Sequence, residues 1–315
     1  MVGRRLIRSS EASARSRQLP ASRLAWRQLT PYAFLAPTIV ALGLGNAIPV
    51  AIAVHLSFYH TSLVAGDERF VGLDNYREIL HSPGFANSLT VTTKFTLATV
   101  IGSMTIGLGL ALLMNGTFPG RGLVRSLLLI PWAMPLVPTA MIWRWLLNPT
   151  FGLISWIAQS VGRHGSPEWL QDPTLALIAI IVIQIWQLYP LAMVLYLAGL
   201  QNIPHDLYEA ARVDGAGAWR AFLHITMPSV RGITVVLSLL MSLWAFGRTF
   251  TIIFLLTAGG PVDATKTLTL LTYQSAFQTL QFGLASALGS LVFLIAAVFA
   301  TALLVTTRSR HAATM

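Results

Sequence analysis

The 315-residue chain contains no cysteine, which excludes disulfides, thiolate metal sites and a cysteine nucleophile. Charge is nearly as scarce. Only 10% of residues are charged, against about a quarter in soluble domains, too few to solvate the surface of a chain this long. That excludes an ordinary water-soluble enzyme. Lysine occurs only at Lys94 and Lys266, each preceded by a threonine, so the phosphate-cradling Gly-x-x-x-x-Gly-Lys-Ser/Thr loop is absent. The chain cannot hydrolyse ATP through such a loop. Histidines are scattered at His55, His60, His81, His164, His205, His224 and His311, with no His-Glu-x-x-His and no Gly-x-Ser-x-Gly. A membrane-embedded enzyme therefore lacks its constellation of paired acid, base or metal-ligating groups. No segment alternates polar and apolar residues over about ten positions, which argues against a membrane β-barrel.

What is present is apolar: 55% of residues are hydrophobic and the mean hydropathy is +0.67. A hydrocarbon core about 30 Å thick needs roughly 20 apolar residues in helical form. Six stretches meet that length, at about 31–57, 88–114, 122–147, 174–199, 229–256 and 284–307. The expected fold is all-α, with six transmembrane helices. Pro37 and Pro49 fall in the first stretch, where a membrane helix tolerates them. Gly102, Ser103, Gly107 and Gly109 in the second suit close helix packing.

The net charge of +10 is distributed unevenly. Arg4, Arg5, Arg8, Arg15, Arg17, Arg23 and Arg27 precede the first span; Arg121, Arg125, Arg212, Arg220, Arg231, Arg308 and Arg310 share its side. The opposite loops hold Arg69, Arg77, Arg163 and Lys266. Basic residues concentrate on the cytoplasmic side, so both termini are expected there. The basic tail, residues 1–30, is longer than a secretory leader's charged region, and the apolar run after it exceeds a leader's core. It reads as a tail against anionic lipid, ahead of an uncleaved first helix. A second tail covers 308–315. Basic residues placed on loops beside six spans exclude a nucleic-acid surface.

The loop between spans four and five, 200–228, does not fit a plain bundle. Pro204 suits the start of a helix. Leu207, Ala210, Ala211 and Val213 then share a side at helical spacing, with Asp206, Glu209 and Arg212 elsewhere. Gly215 and Gly217 can take the positive φ that ends such a helix. Trp219, Phe222 and Leu223 begin a second short apolar stripe, which Pro228 is expected to stop. Two short helices with a glycine elbow follow, and by pattern alone they are equally an amphipathic hairpin resting on lipid.

Glu209-Ala210-Ala211, then Gly215, Ile225 and Met227-Pro228 at their spacings, resemble the EAA motif of bacterial ABC importer permeases, with Met227 replacing the usual leucine. Phe70-Val71-Gly72-Leu73-Asp74-Asn75-Tyr76, Pro131-Trp132-Ala133-Met134-Pro135 and Leu256-Thr257-Ala258-Gly259-Gly260-Pro261 are similar to segments of the carbohydrate branch, over roughly 30–307. The resemblance implies a type I importer permease fold and a pseudo-symmetric second permease. It also implies two cytoplasmic ATPases that bind the ATP and Mg, and an extracytoplasmic sugar-binding protein that meets the 58–87 and 257–283 loops. It places Glu209, Ala210, Ala211, Gly215 and Pro228 at the ATPase contact, a helix-in-groove arrangement.

The same resemblance assigns Trp132, Leu136, Gln187, Leu188, Leu191, Ser242, Ala245, Phe246 and Thr249 to a solute cavity in a bacterial inner membrane. Trp132 and Phe246 could stack on a pyranose, and Gln187, Ser242 and Thr249 could hydrogen-bond its hydroxyls. The implied solute is a di- or oligosaccharide, trehalose-like, with glycerol phosphate or a polyol as the alternative. Arg248, Arg144 and Lys94 are ionisable residues at membrane depth and so functional candidates, with snorkelling to the interface as the competing role. A passive channel built from the six helices is the remaining rival.

Overall fold

The structure is a computed structural model that describes residues 21–62, 67–160, 168–247 and 249–312. The chain separates into two units, residues 1–53 and 54–315. The first is the bulk of α1 (Ala21–Leu56), which runs unbroken through Pro37 and Pro49. It begins ten residues before the expected span, so the end of the basic tail is helical. Residues 1–20 of that tail lie outside the described residues.

The second unit opens with an antiparallel hairpin, β1 (Tyr59–Ser62) and β2 (Asp67–Phe70), with Tyr59 opposite Phe70. The hairpin was not expected from these short, polar strands. Helix α2 (Asp74–His81) follows, and Asn75 locks it to the hairpin by donating from Nδ2 to the Ser57 and Tyr59 carbonyls at 2.8 and 2.9 Å.

The centre is the pair α3 (Pro83–Asn115) and α7 (Pro173–Gln201), each long enough to cross a bilayer. Asp172 starts α7 by accepting from the amides of Thr174 and Leu175 at 2.9 and 2.8 Å, the N-cap bond that satisfies otherwise orphaned donors. Gly102 packs against the Ile185 side chain, and Gly107 against Ala192 and the backbone of Tyr189 and Met193. Gly109, expected to share this role, has nothing within 4 Å of its Cβ position. Ser88, Thr92, Thr96, Thr99 and Ser103 of α3 are all buried, and small side chains of this kind let membrane helices approach closely.

The third expected span is two helices. α4 (Arg121–Ala133) and α5 (Leu136–Leu146) meet at 96°. The cause is Pro135, which has no amide to continue the ladder and forces Met134 into the extended region, φ −74° and ψ 132°. The other end of α4 is fixed by Arg121 and Arg125, which donate to the Gly116 and Met114 carbonyls at 3.1 and 2.6 Å. Cations belong at the end of α3, where helix carbonyls lack partners. Short α6 (Leu153–Ser160) completes this side.

The remaining elements are α8 (His205–Val213), α9 (Ala218–Ala221), α10 (Met227–Gly247), α11 (Phe250–Leu256), α12 (Leu268–Phe277) and α13 (Phe282–Ala312). The fifth expected span is thus α10 plus the short α11. The last helix continues to Ala312, past the expected start of the C-terminal tail. Buried apolar side chains form three clusters. One joins α3, α7 and α10 through Ala111, Tyr196 and Leu237. A second joins α5, α7, α11 and α12 through Ala140, Ile180, Ile253 and Leu270. The third seats α2 on α12 and α13 through Ile79, Leu268 and Leu288.

Candidate functional site: a membrane cleft and a helical hairpin

Pro135 has a second consequence. By turning α5 away from α4, it brings Trp132 and Leu136 to the face of α7. There, with Gln184, Gln187 and Leu188 of α7 and Trp244 of α10, they line a cleft of about 20 Å³. That is room for about one water molecule. Two glutamines one turn apart on a helix point the same way. Gln184 and Gln187 are 4% and 5% exposed, and the Oε1 of each has no hydrogen-bond partner among the described residues. A buried carbonyl oxygen without a donor costs about 1–3 kcal/mol. The indoles of Trp132 and Trp244 supply flat apolar faces beside them.

Four of the expected lining residues therefore come together: Trp132, Leu136, Gln187 and Leu188. The others do not line this cleft. Ser242 is buried inside α10 and Ala245 belongs to the second apolar cluster. Leu191 packs against the first cluster. Phe246 is half-buried, and its carbonyl accepts from Thr269 Oγ1 at 2.5 Å. Thr249 is buried with Oγ1 unpartnered among the described residues, but it sits past the end of α10. Gln184 and Trp244, which the resemblance does not name, line the cleft as well; a glutamine three residues before Gln187 in an otherwise apolar run is a legible signal.

Arg248 lies outside the described residues, as does Arg163. Arg144 is exposed at the end of α5 and donates to the Leu255 carbonyl at 3.4 Å, so it faces the C-terminal carbonyls of α11. Lys94 is exposed on α3. Lys266 pairs with Asp263 at 2.6 Å in the 257–267 loop. Among the described residues no group of His, Asp and Glu could hold a metal ion.

The 200–228 segment folds as expected at its elbow. Pro204 precedes α8, and Gly215 takes φ +74°. Gly217 does not share that conformation: it is extended, φ −69° and ψ 166°, and opens α9. Nor does Pro228 stop the second stripe. α9 passes through a π-helical turn, Phe222–Thr226, directly into α10. The Met227 amide bonds to the Phe222 carbonyl, five residues back, and a wider turn just before a proline absorbs its missing donor and its ring. Glu209 and Ala210 are exposed and Ala211 is half-buried. Leu207, Val213, Trp219 and Leu223 put an apolar surface beside them, with Val213 88% exposed. Glu209 is reached within its own helix by His205 Nδ1 at 3.2 Å.

This geometry can be set beside known proteins. Residues 103–310 match the family described as the binding-protein-dependent transport system inner membrane component. The trehalose/maltose transport system permease protein MalF of Thermococcus litoralis is 35% identical over 265 residues, covering 84% of this chain and 88% of that one. The sulfoquinovosyl glycerol transport system permease protein SmoG of Agrobacterium fabrum is 38% identical over 260 residues, covering 82% and 84%. Among solved structures, a bacterial ABC transporter involved in importing the acidic polysaccharide alginate superposes with a TM-score of 0.78 at 22% identity, covering 90% of this chain and 98% of that one; it shares the fold. With its apolar helices, its bent α4–α5 pair and its helical hairpin, the chain belongs to the binding-protein-dependent inner membrane components, the multi-pass permeases of ABC importers.

Proposed function

We propose that this permease forms half of the passage of an ATP-driven importer for a di- or oligosaccharide. A second permease forms the other half, two ATPases act on the cytoplasmic side, and a sugar-binding protein delivers the solute from outside. The observation that carries the solute assignment is the pair of buried, unpartnered carbonyl oxygens on Gln184 and Gln187 between Trp132 and Trp244. Sugar hydroxyls are the donors that such oxygens lack, and aromatic faces suit the apolar faces of a pyranose. When the passage opens, these groups are ready to exchange water for solute. Ser242, Phe246 and Thr249 fit better as supports of this wall than as direct contacts.

The hairpin lies on the cytoplasmic side in this reading, in keeping with the basic residues on its side of the membrane. Glu209, Ala210, Ala211 and Gly215 then meet an ATPase groove, with small alanines allowing close approach and Val213 as an apolar anchor. Pro228 fixes where the hairpin joins α10. ATP and Mg stay with the ATPase. The relative that carries sulfoquinovosyl glycerol, a sulfonated glycoside, favours an anionic sugar as the second reading, with Arg248 as its counter-charge.

The test is the ATPase rate of the reconstituted complex with binding protein loaded from a panel of neutral and sulfonated glycosides. Stimulation by a neutral disaccharide supports the first reading, and stimulation by sulfonated glycosides alone supports the second. No stimulation by any sugar removes both.

A further inference from the structure

Helix α8 shares a cavity of about 520 Å³ with the membrane helices, lined by Leu112 of α3, Leu200 of α7, Tyr208 and Ala211 of α8, and Phe222 and Thr226 of the π-helical turn. Packed side chains transmit displacement because they are dense, and a cavity of this size interrupts that contact. Among the described residues one side-chain hydrogen bond leaves α8 for another element. It joins the hydroxyls of Tyr208 and Thr226 at 2.9 Å.

Its setting suits a mechanical part. Thr226 is 3% exposed and Tyr208 is half-buried, and both side chains sit in the wall of this cavity, so the bond spans it at one edge. Thr226 also ends the π-helical turn that feeds α10, and such turns recur at functional positions. From Thr226, α10 runs about 27 Å at 1.5 Å per residue to Trp244, which lines the cleft.

We propose that the Tyr208–Thr226 hydrogen bond is the latch through which displacement of α8 is passed to α10 and so to Trp244. Tyr208 is a positioning residue: it touches neither solute nor nucleotide, and it makes α8 and α10 move as one body. This rests on the reading of α8 as the ATPase contact, and it adds which atoms carry the motion inward.

The absence of cysteine makes the test direct. Spin labels at Asp206→Cys and Leu243→Cys report the distance between α8 and α10 in the complete importer. The same complex gives the stimulation of ATPase by trehalose-loaded binding protein. Tyr208→Phe and Thr226→Val should each broaden the distance distribution and lower the stimulation about fivefold, the scale of one net hydrogen bond, with the ATPases still bound. Thr226→Ser, which keeps the hydroxyl, should behave as wild type, and the double variant should be no worse than either single one. Unchanged distances and stimulation in both Tyr208→Phe and Thr226→Val, with the ATPases bound, would overturn the latch alone. A wild-type chain that never co-purifies with an ATPase would overturn the docking of α8 as well.

Discussion

Gly107 of α3 lies against Ala192 of α7 so closely that a methyl group on Gly107 would meet the Ala192 Cβ at 2.5 Å and the Met193 amide nitrogen at 2.9 Å. The backbone cannot step aside without moving the whole pair of helices. Gly107→Ala should therefore destabilise the permease by about 1–3 kcal/mol, the usual cost of overpacking. Gly109→Ala, two residues on with nothing within 4 Å, should be neutral or stabilise by up to about 1 kcal/mol through helix propensity. Thermal unfolding of both in detergent separates them, and equal melting temperatures would contradict this account of the α3–α7 contact.

Asn75 predicts a second loss. It is 5% exposed and its amide holds two carbonyls of the segment entering the hairpin. Asn75→Leu leaves both without that donor, at about 1–3 kcal/mol. The measurable result is faster amide exchange over 57–62 and 67–70, with α3 and α7 unchanged.

The hairpin elbow separates two glycines that look alike in sequence. Gly215 has φ +74° and open space around it, whereas Gly217 has φ −69°. Gly215→Ala should cost about 1–2 kcal/mol from backbone strain alone, weakening ATPase capture. Gly217→Ala should capture ATPase as wild type. Pull-down of the ATPase from purified components reads both.

The cleft predicts a trade between stability and transport. Gln184→Leu or Gln187→Leu removes a buried oxygen that has no donor, so neither should lower the melting temperature and either can raise it. Uptake should fall at least about tenfold, since one lost ligand hydrogen bond in a buried site is worth roughly 1.4 kcal/mol or more. A variant that melts and transports as wild type would take that glutamine out of the passage.

How much of this was legible in advance follows from which signals are local. Spans are local: long apolar runs placed α3, α7 and α13 to within a few residues, except that α13 runs on to Ala312. The bend between α4 and α5 was written in Pro135, but hydropathy is the same on both sides of it, and membrane helices often carry proline through. The motif around Glu209 fixed the hairpin because its small and acidic residues stand out against apolar neighbours. Rotation about a helix axis is not local. It depends on which neighbour packs where, and the residues named by the resemblance divide accordingly, Trp132 and Gln187 lining the cleft with Gln184 and Trp244 while Ser242 and Phe246 do not. Pairings across the chain, such as Tyr208 with Thr226, leave no periodic trace. The β1–β2 hairpin was missed for a similar reason, its strands being too short and polar to show alternation.

The central claim is that this chain moves a sugar only as part of an ATP-driven assembly. It is tested most directly by uptake of radiolabelled disaccharide into proteoliposomes holding this permease, its partner permease and the ATPases, with binding protein outside and ATP inside. The account predicts uptake that requires both ATP and binding protein, and that falls at least about tenfold in Gln187→Leu. Equal flux through liposomes holding this chain alone, without ATP, would contradict it and mark the protein as a passive channel.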